Sequence, residues 1–219
     1  MRIYLSLEQN NRIVPYNYQN LLTGAIHKWL GKDNSEHGQT GVLSFSWLQN
    51  TKATKEGINL SNNSFLFISA WDDSIIKKIV SGILDDPTMF CGIKVNGVQI
   101  ANAPEFENST RFLMASPVLL KWRDDGDLRY VTIEDEDFEE QLNINFKNKL
   151  QNAGLDTEGI KISIDPNSTY RQTKMVTYNG IKNRTSLVPI VIEGTTEQIS
   201  FAWSVGLGNS TGIGFGALK

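Results

Sequence analysis

Two histidines, His27 and His37, are the only imidazoles in this 219-residue chain, and they stand ten residues apart. A histidine titrates near neutrality, so it can take a proton from a hydroxyl or return one to a leaving group. His27 falls in a segment with helical spacing, and His37 falls in the polar loop Asn34-Ser-Glu-His-Gly38 that follows it. A pair placed across a helix end in this way can converge on one site. Two histidines without a third metal ligand favour acid–base chemistry over a metal centre. Taken alone, a helical histidine is more often packed or merely exposed than catalytic.

The second chemical signal is a run of glycines, Gly206, Gly208, Gly212, Gly214 and Gly216, within the last fourteen residues. Such density means that the backbone turns sharply or lies close to something a side chain would exclude. A string of bare N–H groups is also an anion cradle, and phosphate is its usual occupant. The order of elements narrows the choice. Nucleotide folds place a strand before the glycine loop and a helix after it. Here a helix-spaced segment, 196–205, comes first, with Thr195 or Thr196 as its N-cap; a strand-like alternation over 213–218 comes second, and the chain then ends. This order argues against a dinucleotide site.

The elements that must position these residues follow from periodicity. A strand over 2–8 leads to a helix opened by Pro15-Tyr-Asn17, with Asn17 as N-cap, that runs to Leu30. Strands at 42–48 and 64–70, a helix at 75–84 capped by Asp72 or Asp73, and a strand at 91–100 complete a β-α-β-β-α-β order. A second set begins after a loop. It comprises strands at 110–115 and 118–122, a helix over 136–152 opened by Asp135, a strand at 160–164 and a hairpin around Asn179-Gly180. The helix at 196–205 and the last strand close it. The fold class expected is α+β, two tandem ferredoxin-like (RRM-like) domains over residues 1–107 and 108–219.

The charge of −3 argues against a general nucleic-acid coat, but the charges are segregated. The segment 123–140 is strongly acidic, whereas 166–192 contains no acid and carries Arg171, Lys174, Lys182 and Arg184. That basic stretch could attract a polyanion locally. No apolar run reaches the ~20 residues of a membrane span, and the N-terminus lacks the layout of a signal peptide. The single Cys91 excludes an internal disulfide and fits a reducing, cytoplasmic setting.

Val14-Pro-Tyr-Asn-Tyr-Gln19, a helix with Gly24 and Ile26, a loop histidine and Leu43-Ser-Phe-Ser46 together resemble the amino-terminal half of the CRISPR repeat-RNA endoribonucleases of the RAMP superfamily. Ser116-Pro-Val-Leu and the terminal glycines are similar to that superfamily as well, in matching order along nearly the whole chain. The resemblance implies antiparallel sheets facing a central cleft, and cleavage of CRISPR repeat RNA in the precursor transcript to give mature crRNA, without metal or cofactor. In that chemistry the ribose 2′-hydroxyl attacks the adjacent phosphate, leaving a 2′,3′-cyclic phosphate and a 5′-hydroxyl. It places His37 as general base, with His27 as acid or phosphate-orienting group. RNA would lie along Arg171, Lys174, Lys182, Arg184 and the glycine N–H groups. Gly41 stands where some relatives carry a lysine, with Lys32, Lys52 and Lys55 as substitutes. A homodimer and contacts with other CRISPR effector subunits are further expectations, and a membrane partner is not. The alternative is a non-catalytic RAMP subunit that binds crRNA inside an interference complex.

Overall fold

A computed structural model describes residues 1–8, 12–31, 42–124 and 127–219, the side chains of Arg123 and Asp124 excepted. In chain order the first half holds β1 (Arg2–Leu7), α1 (Gln19–Leu30), β2 (Leu43–Phe45), the short pair β3 (Lys52–Ala53) and β4 (Ile58–Asn59), β5 (Phe65–Ala70), α2 (Asp73–Asp85) and β6 (Val95–Ala101). Its main sheet runs β2-β5-β1-β6 with antiparallel neighbours throughout. Ile3 and Leu5 alternate onto the face that receives Leu22, Ile26 and Trp29 of α1 and Ile75, Ile76 and Ile79 of α2. This is the split ferredoxin-like arrangement expected from the periodicity.

The second half repeats it. β7 (Ser109–Phe112) is followed by the hairpin β8 (Leu120–Asp124) and β9 (Asp127–Val131), then α3 (Phe138–Asn152) and β10 (Lys161–Ile164). A second hairpin, β11 (Gln172–Tyr178) and β12 (Ile181–Leu187), precedes β13 (Ile190–Glu193) and α4 (Thr196–Val205). The sheet order is β10-β13-β7, and the chain's end extends it. Leu113 and Lys219 exchange both backbone hydrogen bonds, and Ala115 N–H donates to the Ala217 carbonyl at 2.8 Å. Counting that edge as a fourth strand gives the same order as in the first half. A separate apolar core, with Phe138, Leu142, Phe146 and Ile199 among its members, fills this half.

The helix-free face of the first sheet receives the second half. Phe67 packs there with Ala115 and Ala217, and Ser44 Oγ donates to the Ser204 carbonyl of α4 at 3.0 Å. Arg2 is buried in the same seam. Among the described residues no helix is long and apolar enough to cross a membrane.

Several local expectations change. Asn17 does not cap α1; Tyr18 holds that position without a side-chain cap bond, and its buried hydroxyl accepts from Leu48 N–H at 3.0 Å. Thr195 does cap α4, in a reciprocal box with Gln198. Asp135 closes a turn by accepting from Thr132 N–H, so α3 starts later, at Phe138. Cys91 sits in a 3-10 turn rather than a strand, and the β3–β4 pair carried no sequence signal beyond its brevity. The strand expected over 213–218 is a 3-10 turn at Thr211–Ile213 followed by a wrapped segment, and pairing begins only at Ala217.

Candidate functional site

α1 carries Gln19, Thr23 and His27 at four-residue intervals, which stacks them on one face of the helix. All three address the carbonyls of the terminal loop. Gln19 Nε2 donates to the Ile213 carbonyl at 2.8 Å and Thr23 Oγ1 to the same oxygen at 3.3 Å. His27 Nε2 lies 3.4 Å from the Gly212 carbonyl. A carbonyl oxygen only accepts, so a hydrogen bond at this contact requires the hydrogen on Nε2. From β2's side, Trp47 Nε1 donates to the Gly214 carbonyl at 2.9 Å. The half-buried His27 is thus fixed against the loop by its own helix and by the loop's partners.

The glycines behave differently from the expected cradle. Gly206 N–H donates to Ala202, Gly214 N–H to Thr211 and Gly216 N–H to Pro117, so these three amides are spent within the protein and cannot receive phosphate. Close backbone packing explains the residues instead. A Cβ on Gly216 would stand 1.8 Å from the Leu207 carbonyl oxygen, one on Gly208 2.5 Å from that of Leu119, and one on Gly206 2.6 Å from that of Gly216. At Gly214 a Cβ would meet the Phe45 ring at 2.7 Å. Gly212 alone of the five has nothing within 4 Å, and it is the residue that touches His27.

The four cations of 166–192 do not form one stripe. In the β11–β12 register Met175 faces Arg184 and Thr177 faces Lys182, which puts Lys182 and Arg184 on the outer, exposed side. Lys174 pairs with Thr185 on the other side, beside the buried Val176 and Asn183. Its ammonium lies 5.9 Å from the Trp47 ring centroid. Arg184 is engaged by Glu134 at 3.2 Å, and Arg171 is exposed just before β11. The hairpin tip reaches α1, where Asn179 N–H donates to Asn20 Oδ1 at 3.1 Å. His37 lies outside the described residues, as do Lys32 and Gly41.

Comparison with known proteins decides the family. The model described as CRISPR associated protein Cas6, C-terminal, matches residues 101–219, more than half of the chain. The chain belongs to the Cas6 family. Over its whole length it is similar to the CRISPR-associated endoribonuclease Cas6 1 of Methanocaldococcus jannaschii, at 27% identity across 99% of this chain and 91% of that protein. A solved structure characterizing a Cas6-related gene from Pyrococcus furiosus superposes with a TM-score of 0.84 at 24% identity, covering 100% of this chain and 97% of that one. A RAMP protein described as binding different RNA substrates gives 0.85 at 22%, covering 100% and 98%. The tandem ferredoxin-like fold is therefore that of Cas6 and RAMP proteins.

Within this Cas6 fold two cations escaped the sequence reading. Arg2 Nη2 donates to the carbonyls of Trp203 and Leu218, and burial pushes its guanidinium down to about 10. Lys149 of α3 donates to the Gly206 carbonyl at 3.2 Å, and burial lowers its ammonium to about 7. No periodicity marks either contact, because each partner comes from a distant segment. Gln19 and Thr23 were legible in principle, since their spacing from His27 is that of one helix face.

Proposed function

We propose that this Cas6 family member is an endoribonuclease that cuts CRISPR repeat RNA in the precursor transcript. The observation that carries this reading is the full-length likeness to an archaeal CRISPR-associated endoribonuclease. The site chemistry is metal-independent. His37 takes the proton from a ribose 2′-hydroxyl, the 2′-oxygen attacks the adjacent phosphorus, and the bond from phosphorus to the 5′-oxygen breaks. His27 gives a proton to that departing oxygen, so the products are a 2′,3′-cyclic phosphate and a 5′-hydroxyl, and protons balance between the two imidazoles. The position of His27 on the polar stripe of α1, against the terminal loop, supports its assignment to the site. The polar stripe of α1 and the loop carbonyls hold that ring in place, while the hairpin cations Arg171, Lys174, Lys182 and Arg184 supply phosphate contacts.

The domain division at residues 107 and 108 belongs to the same proposal. It falls between β6 and β7 and is supported by the two separate apolar cores. The test is incubation of repeat RNA with the protein in EDTA, followed by end-group analysis. Cleavage to cyclic-phosphate and 5′-hydroxyl ends is the expected result. Tight binding without cleavage would favour the crRNA-holding subunit instead, and 5′-phosphate products would refute the 2′-hydroxyl mechanism.

A further inference from the structure

Trp47 is an aromatic side chain held by several contacts, packed beside Leu119, Val176 and Phe215. Its indole N–H is tied to Gly214, its backbone N–H donates to Ala115 at 3.1 Å, and the Tyr18 ring meets it edge-on at 6.4 Å between centroids. It nevertheless remains partly exposed. Over the ring stands Lys174, at 5.9 Å, contributed by the other half of the chain. That distance is at the outer reach of a cation–π contact, ~6 Å, so the ammonium is weakly held there. Among the described residues no carboxylate pairs with Lys174, whereas Lys28, Arg129 and Arg184 each have one. The spacing of ring and cation is set by the hairpin, which is anchored at its tip on Asn20 and at its base by the Val118–Ser186 bridge.

The same loop links this pair to His27. Trp47 is tied to the carbonyl of Gly214 and His27 faces that of Gly212, two residues away, at most about 7 Å of chain. We infer that Trp47 and Lys174 form a nucleotide subsite for single-stranded RNA, next to the bond that is cut. The base stacks on the indole and the phosphate takes the ammonium from it. Every base has a π-face, so this subsite accepts any sequence and acts by positioning. It differs from the outward Lys182 and Arg184, which lie on the opposite side of the hairpin and contact other parts of the RNA. The inference rests on the RNA-processing reading given above.

The experiment uses the full chain with fluorescein-labelled repeat RNA, read by anisotropy and by single-turnover cleavage. Trp47→Leu is expected to weaken binding by about tenfold, the scale of losing one stacked base. Trp47→Phe, which keeps a ring, is expected to lose less than about threefold. Lys174→Met is expected to lower the salt slope of binding by about one. Wild-type affinity and slope in both Trp47→Leu and Lys174→Met would overturn the subsite while leaving the nuclease reading intact. If wild type binds the RNA without cutting it, the nuclease reading fails, and Trp47-dependent binding still supports the subsite.

Discussion

Arg2 and Trp203, 201 residues apart, are joined twice: the guanidinium carbon lies 3.8 Å from the indole centroid, and Nη2 donates to the Trp203 carbonyl at 2.9 Å. Phe67 covers the other face of the guanidinium at 3.9 Å, Nε donates to Ser69 Oγ at 2.6 Å, and Nη2 also reaches the Leu218 carbonyl at 2.8 Å. The planar fork therefore caps the end of α4, holds the terminal edge strand and fills the seam between the two sheets. Burial lowers its pKa only to about 10, so it stays charged at neutral pH.

Arg2→Ala leaves those carbonyls without a donor and opens a void, a loss of about 3–5 kcal/mol. Arg2→Lys recovers only part of it, because an ammonium cannot fork or stack as a guanidinium does. Urea unfolding measures both. A cost below about 1 kcal/mol for Arg2→Ala would show that the seam does not depend on this residue.

The packing account of the glycines separates two positions. Gly216→Ala forces a Cβ against the Leu207 carbonyl at a backbone φ of 66°, and a loss above about 4 kcal/mol or failure to fold is expected. Gly212→Ala meets open space, so its stability should stay within about 0.5 kcal/mol of wild type. Thermal unfolding of the two variants side by side decides the matter. Equal effects would contradict the account.

Lys149 gives stability a pH dependence of definite sign. Its folded pKa, about 7, lies below the ordinary 10.5, so between those values the unfolded chain binds more protons at this group. Stability from Lys149 therefore rises with pH across that window and is lowest below it. Lys149→Met removes this rise, which urea unfolding at about pH 7 and about pH 9.5 detects as a smaller difference than in wild type. An unchanged difference would place the ammonium in water.

Glu134 holds Arg184 at 3.2 Å and also accepts from Thr173 Oγ1, so it competes with phosphate for an exposed cation. Surface pairs of this kind are worth about 0–1 kcal/mol. Glu134→Gln should accordingly tighten repeat-RNA binding by about two- to fivefold at low salt, measured by anisotropy, with the gain shrinking as salt is raised. Weaker binding would mean that Glu134 orders the hairpin for RNA.

Much of the fold could be read from periodicity. The alternation of Ile3, Leu5 and Leu7 and the stripe of Leu22, Ile26 and Trp29 announce their own buried faces. The terminal segment misled because Gly-x-Gly alternation looks like a strand while glycine has no side chain to reveal a face. The cradle reading failed at Gly206, Gly214 and Gly216 for a related reason: density of glycine signals close approach, and here the thing approached is the protein's own backbone. Arg2, Lys149 and the Trp47–Lys174 pair were invisible because their partners are set by tertiary contact. His27 could be placed on its helix from spacing, whereas the role given to His37 came from family resemblance.

The central claim is that two histidines cut repeat RNA. It is tested most directly by single-turnover cleavage of repeat RNA in EDTA by wild type, His37→Ala and His27→Ala, each checked for folding. Loss of general acid–base catalysis predicts rates lower by about 10²–10⁴ in each variant, with RNA affinity nearly unchanged. Full activity in His37→Ala would contradict the account.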